Sequence, residues 1–94
     1  MATKSLKKRV PLIRMYLVEY RNKFNYSQLD VANKINMVHS LYNQIENGKQ
    51  GHLMNAEKLM ALANAFNVDV KEICEAEVAY LKKYRILNGE RNKE

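Results

Sequence analysis

The chain has one cysteine, one proline, three glycines, two histidines and no tryptophan among its 94 residues. A lone Cys74 can form neither an intramolecular disulfide nor a cysteine-rich zinc site, which fits a reducing compartment, so a cytoplasmic location is expected. Glycine is too scarce for a phosphate-cradling loop, and neither paired carboxylates nor metal-ligand spacings occur. Cys74 has no histidine in its own element to activate it, and His52 has no second histidine or cysteine close by, so it reads as a loop residue near phosphate or in solvent. The expectation is a non-enzyme without cofactor or metal. No apolar run is long enough to cross a bilayer, and the basic start MATKSLKKRV lacks the apolar stretch of a signal peptide, so no membrane partner is expected.

Acidic residues are scarce in one half only. Residues 1 to 52 hold nine Lys and Arg against three acids (Glu19, Asp30 and Glu46), whereas residues 53 to 94 hold seven of each. The whole net charge of +6 therefore lies in the first half, where phosphate neutralisation would need it.

That half also contains the most informative stretch, SQLDVANKINMVHSLYNQIENG, from Ser27 to Gly48. Ser27 and Asp30 have capping-box spacing and predict a helix from Gln28 with Val31, Ala32 and Ile35 on its inner face. Asn36 suits the left-handed conformation of a tight turn, placed at Asn36-Met37-Val38. From His39 to Asn47 the helical period puts Leu41, Tyr42 and Ile45 on one side and His39, Ser40, Asn43, Gln44 and Asn47 on the other. The polar side carries no acid. Gly48 then ends this helix.

Ser27-Gln28, Val31-Ala32, Ile35, Met37 and the ending Ile45-Glu46-Asn47-Gly48-Lys49 resemble the Cro/repressor, or xenobiotic-response-element, helix-turn-helix family, without a gap from Arg21 to Lys49. Two positions depart from the pattern: Asn36 stands where the family has glycine, and Val38 where it has serine or threonine. The second motif helix therefore lacks its usual side-chain N-cap. The resemblance implies that this helix enters the major groove of double-stranded DNA with His39, Ser40, Asn43 and Gln44 at base edges, and that Gln28, Asn47, Lys49 and Gln50 lie on phosphates. Asn and Gln bind adenine bidentately, so an A·T pair is expected in the site. The resemblance also pairs Arg21 with Glu46 as a largely buried salt bridge.

The remaining segments predict an all-α, five-helix domain. Residues 1–10, with Lys4, Lys7, Lys8 and Arg9, show no period and read as a flexible basic arm, on DNA or merely solubilising. Residues 11–75 form the helix-turn-helix domain: a first helix from Pro11 to Lys23 with the stripe Ile13, Leu17, Tyr20 and Phe24, and a turn at Asn25 closed by Tyr26. After a loop at residues 50–54, Asn55 caps a fourth helix that ends at Asn67, with Leu59, Leu62, Ala63, Phe66 and Met60 as its apolar residues, and Asp69 with Glu72 forms a second capping box. Resemblance to the family core ends at Ile73. Residues 76–94 are a helical extension to about Leu87 and a polar tail, Glu90 to Glu94.

Two apolar stripes run along the last helix: Val70, Cys74, Val78 and Leu81, and beside them Ile73, Ala76, Tyr80, Tyr84 and Leu87. Either one faces a partner, with Tyr80, Tyr84 and Leu87 as candidates for a homodimer contact, or both wrap the chain's own core. The functional expectation is a sequence-specific transcriptional regulator, a repressor in the simplest case. The alternative is an antitoxin of the same fold that masks a toxin with its last helix and regulates its own promoter.

Overall fold

The computed structural model describes residues 10–49 and 54–89; the expectations for Lys4, Lys7, Lys8, Arg9, Gln50, His52 and Glu90 to Glu94 fall outside the described residues. Five helices and no strand are present among them: α1 (Met15–Phe24), α2 (Gln28–Lys34), α3 (His39–Asn47), α4 (Ala56–Phe66) and α5 (Val70–Leu87). Several boundaries have a local cause. Asn25, Asn36 and Asn67 all have positive φ, at 61°, 59° and 57°, so three asparagines take the left-handed turns where glycine is commoner. Asn55 accepts the Lys58 backbone N–H and starts α4.

The core is one cluster drawn from every helix: Leu17 of α1, Val31 and Ala32 of α2, Tyr42 and Ile45 of α3, Leu62, Ala63 and Phe66 of α4, and Ile73 of α5. Tyr20 stacks on Phe66 with ring centroids 5.2 Å apart, which seats α1 on α4. The short α2 is held mainly by α3 and α4 rather than by its own seven residues.

Four expectations are corrected. The first helix begins at Met15, not Pro11, because backbone groups of Val10, Leu12 and Arg14 bond Asn88, Tyr80 and Glu46 instead of closing a helical turn; the Arg14 N–H donates to Glu46 O at 2.8 Å. Of its apolar stripe only Leu17 is fully buried, while Ile13 and Phe24 lie at the surface. The second capping box does not form: the Asp69 side chain makes no cap bond, and Glu72 accepts the Tyr20 hydroxyl instead. Met60 is exposed on the outer side of α4.

The fourth correction concerns α5. Its inward residues are Ile73, Glu77, Tyr80 and Tyr84, so Tyr80 and Tyr84, expected as partner contacts, are buried within the chain at 6% and 4% exposure. Of that expected trio, Leu87 alone reaches the surface. The other stripe faces outward, with Val70 and Val78 exposed and Cys74 and Leu81 half-buried.

Candidate nucleic-acid interface

α2, the turn and α3 present one surface. The Ser27 hydroxyl accepts the Asp30 N–H at 3.0 Å and the Asp30 carboxylate accepts the Ser27 N–H at 2.8 Å, a complete capping box that fixes where α2 begins. The Ser27 bonds hold the Asp30 carboxyl below its ordinary pKa. At the far end the Met37 N–H donates to Ala32 O at 2.8 Å, which closes the turn around Asn36. Val38 precedes α3 in extended conformation without a side-chain cap, so the first turn of α3 leaves backbone N–H groups open toward the outside.

α3 buries Tyr42, Ile45 and Glu46 and leaves its opposite side polar. His39 and Ser40 are exposed, while Asn43, Gln44 and Asn47 are half-buried, so all five residues assigned to the outer face reach the surface. Lys49 follows directly, also exposed, after Gly48 has ended the helix at φ 65°.

The buried carboxylate of Glu46 is the hub that fixes this surface. Arg21 binds it through Nε at 2.7 Å and Nη2 at 3.1 Å, and through Nη1 also donates to Tyr26 O at 3.0 Å. The Tyr42 hydroxyl donates to Glu46 Oε2 at 3.0 Å, and Gln28 Nε2 donates to Oε1 at 2.5 Å. The pair expected from the resemblance is therefore present, and it joins α1 to α3. Its hydrogen bonds hold the Arg21 guanidinium above its ordinary pKa, while burial and then Glu46 push the Tyr42 phenol up.

An ionised Glu46 only accepts, which sets the direction of every amide in the chain of bonds that follows. Gln28 must turn its NH2 toward Glu46, so its carbonyl faces outward and accepts Asn43 Nδ2 at 2.7 Å. Gln28 thus ties the start of α2 to the middle of α3. One N–H of Asn43 is committed to this bond, which fixes its carboxamide against α2.

A second buried ion pair lies behind α3, one the sequence analysis did not identify. Arg14, fully buried, binds Glu77 through Nε at 2.9 Å and Nη2 at 2.8 Å and donates through Nη1 to Ile45 O at 2.6 Å. Its guanidinium stacks over Tyr80 at 4.3 Å, and the Tyr16 hydroxyl joins Glu77 at 2.6 Å. Burial works against the Arg14 charge, and the bonds and charge of Glu77 more than offset it, holding its pKa above the ordinary value. A guanidinium on a carbonyl of the last turn of α3 also complements the negative end of that helix. The available signal was position: Arg14 lies three residues before Leu17 and Glu77 four after Ile73, each in register with a buried apolar residue.

Among the described residues no cluster of histidine, cysteine and acids could hold a metal ion, and no helix is long and apolar enough to cross a membrane. No curated protein and no solved structure gives a match to the chain. The helix-turn-helix family model matches residues 17–73, more than half of the sequence, and it covers α1 from Leu17, all of α2, α3 and α4, and the start of α5. A polar, acid-free outer helix fixed from behind by a buried carboxylate sits at the centre of that match: the chain belongs to the Cro/repressor-type helix-turn-helix family of DNA-binding transcription regulators.

Proposed function

We propose that the chain binds a specific double-stranded operator as a two-fold dimer and represses the promoter it covers, with α3 in the major groove. The observation that carries this reading is the outer face of α3. It offers donors and acceptors without a carboxylate to repel phosphate, and Glu46 bonded to Arg21, Tyr42 and Gln28 holds it rigid. His39, Ser40, Asn43 and Gln44 meet base edges, Asn43 with one N–H already held by Gln28. Asn47, Lys49 and Gln50 set the register on phosphates, and Gln28, whose side chain is held by Glu46 and Asn43, joins them through its backbone N–H at the start of α2.

A dimer is favoured by the outward side of α5. Val78 is 52% and Ile86 75% exposed, large for isolated surface residues on one helix. Of the exposed charged residues of α5, Lys71, Glu72 and Glu75 lie in its first half and Lys82, Lys83 and Arg85 in its second. Two copies of α5 crossing antiparallel would cover Val78 and set Val70 of each against Ile86 of the other, and the contact would be self-complementary as a two-fold axis requires. The same stripe could serve an antitoxin against a toxin, but a second copy covers the exposed Val70, Val78 and Ile86 without any further molecule.

Selection of bound sequences from random duplexes tests both parts. The wild type should enrich two inverted half-sites about 10 base pairs apart centre to centre, or a multiple of that, and the Val78→Glu, Ile86→Glu variant should remain folded, sediment as a monomer and enrich single half-sites. No enrichment by the wild type would refute specific binding. Paired half-sites selected by a dimeric variant would refute the α5 contact.

A further inference from the structure

Val38 is an apolar side chain beside the polar residues assigned to bases. It stands directly before His39 at the leading end of α3 and is 68% exposed. Its apolar neighbours behave differently: Met37 and Leu41 pack against the core cluster, and Val38 has no part in it. Nor does it serve the helix it precedes. A serine, threonine, aspartate or asparagine there could accept a backbone N–H of the first turn, whereas valine makes no cap bond.

The backbone that carries this side chain is nevertheless fixed. Val38 O accepts the Leu41 and Tyr42 N–H groups, both at 3.1 Å, and the Met37 N–H just before it is bonded to Ala32 O at 2.8 Å. A β-branched side chain on a fixed backbone has few rotamers open to it, so its two methyl groups form a small, rigid apolar knob. Such a knob loses little freedom when it meets a ligand.

We infer that Val38 is a specificity-determining residue that reads the C5-methyl group of one thymine in each half-site. The inference rests on the proposed entry of α3 into the major groove, where the N-terminal residues of such a helix meet base edges. Base pairs present hydrogen-bond donors and acceptors there, and the thymine methyl is the apolar group among them. Valine set against an amino group or a carbonyl would strip water from it and return no hydrogen bond, which costs free energy. Against the methyl, both partners leave water favourably. The contact separates thymine from cytosine, which carries only hydrogen at C5. Because neither partner is charged, it adds nothing to the salt dependence that phosphate contacts set.

The test removes the methyl and nothing else. In the duplex that the wild type selects, each thymine is replaced in turn by deoxyuridine, and binding is measured for the wild type, Val38→Ala and Val38→Ser at one salt concentration. For the wild type, loss of the methyl at one thymine position in each half-site should weaken binding about two- to fivefold, the scale expected for one buried methyl group. Both variants should bind the thymine duplex more weakly by a similar factor and show no further loss with deoxyuridine at that position, while their responses at the other thymines match those of the wild type. Val38→Ser should melt no lower than the wild type, since its hydroxyl can cap α3. A selected duplex in which no thymine responds, a methyl dependence that persists in Val38→Ala, or a lower melting temperature for Val38→Ser, which would assign the valine to packing, would each overturn the inference while leaving sequence-specific binding intact. A wild type that selects no duplex would overturn the DNA reading and this inference together.

Discussion

Replacing Glu77 by leucine should lower the unfolding free energy by about 3–5 kcal/mol, because it strands the guanidinium of Arg14 in a site with no exposure to water. For a domain of this size each kcal/mol corresponds to roughly 4–8 °C in the thermal midpoint, so the change is visible in a simple melt. The double substitution Arg14→Met, Glu77→Leu should recover most of the loss, since an apolar pair of similar volume carries no desolvation cost. Recovery of stability should not restore DNA affinity in full. Arg14 Nη1 also holds Ile45 O in the last turn of α3, and methionine cannot replace that bond. A Glu77→Leu chain as stable as the wild type would show that the pair is not buried as described, and a double variant as unstable as the single would assign the cost to packing rather than to charge.

Gly48→Ala should cost about 3 kcal/mol or more, and Gly89→Ala only about 1 kcal/mol, although both glycines have positive φ, 65° and 75°. The backbone penalty is common to the two. The difference is space: a Cβ at Gly48 would meet Leu12 O at 2.0 Å and the Tyr80 hydroxyl at 2.7 Å, whereas at Gly89 nothing lies within 4 Å. To admit the methyl, the strap formed by residues 10–14 must lift, which breaks the Tyr80 bond to Leu12 O and strains the Arg14 bond to Glu46 O. Urea unfolding of the two variants measures both costs in one host, with equal slopes required for the comparison. Equal destabilisation at the two positions would mean that the strap does not press on Gly48.

The elements that could be read from the sequence are those whose causes are local. The capping box at Ser27 and Asp30, the turn at Asn25, the left-handed turn at Asn36, the end of α4 at Asn67, the Asn55 cap and the Gly48 terminus each depend on residues within about one turn, and each appears where the residue types call for it. The inner faces of α2 and α3 follow from period alone. The Arg21 to Glu46 pair was legible because the family resemblance fixes the distance between the two positions.

What was not legible depends on partners far along the chain. The start of α1 was placed four residues early because nothing near Pro11 announces that Arg14 N–H will bond Glu46 O and Val10 will bond Asn88, contacts that span most of the sequence. The two stripes of α5 were seen, but period cannot tell which of two neighbouring stripes turns inward. The deciding residue is Glu77, an acid that belongs to neither apolar stripe and is nevertheless buried because Arg14 neutralises it. The commitment of Asn43 to Gln28 was equally hidden, because it depends on the orientation of an amide two bonds away from Arg21.

The claim that α3 reads bases is tested most directly at Gln44, which sits on the outer face in no hydrogen bond described for the chain's structural hub. Affinities of the wild type and of Gln44→Ala should be measured side by side, at one salt concentration, on the duplex recovered by selection and on random duplex. The variant should lose about 1–3 kcal/mol on the selected duplex and almost nothing on the random one. An equal loss on both would place Gln44 on phosphate alone, and no loss on either would contradict base reading by this face of α3.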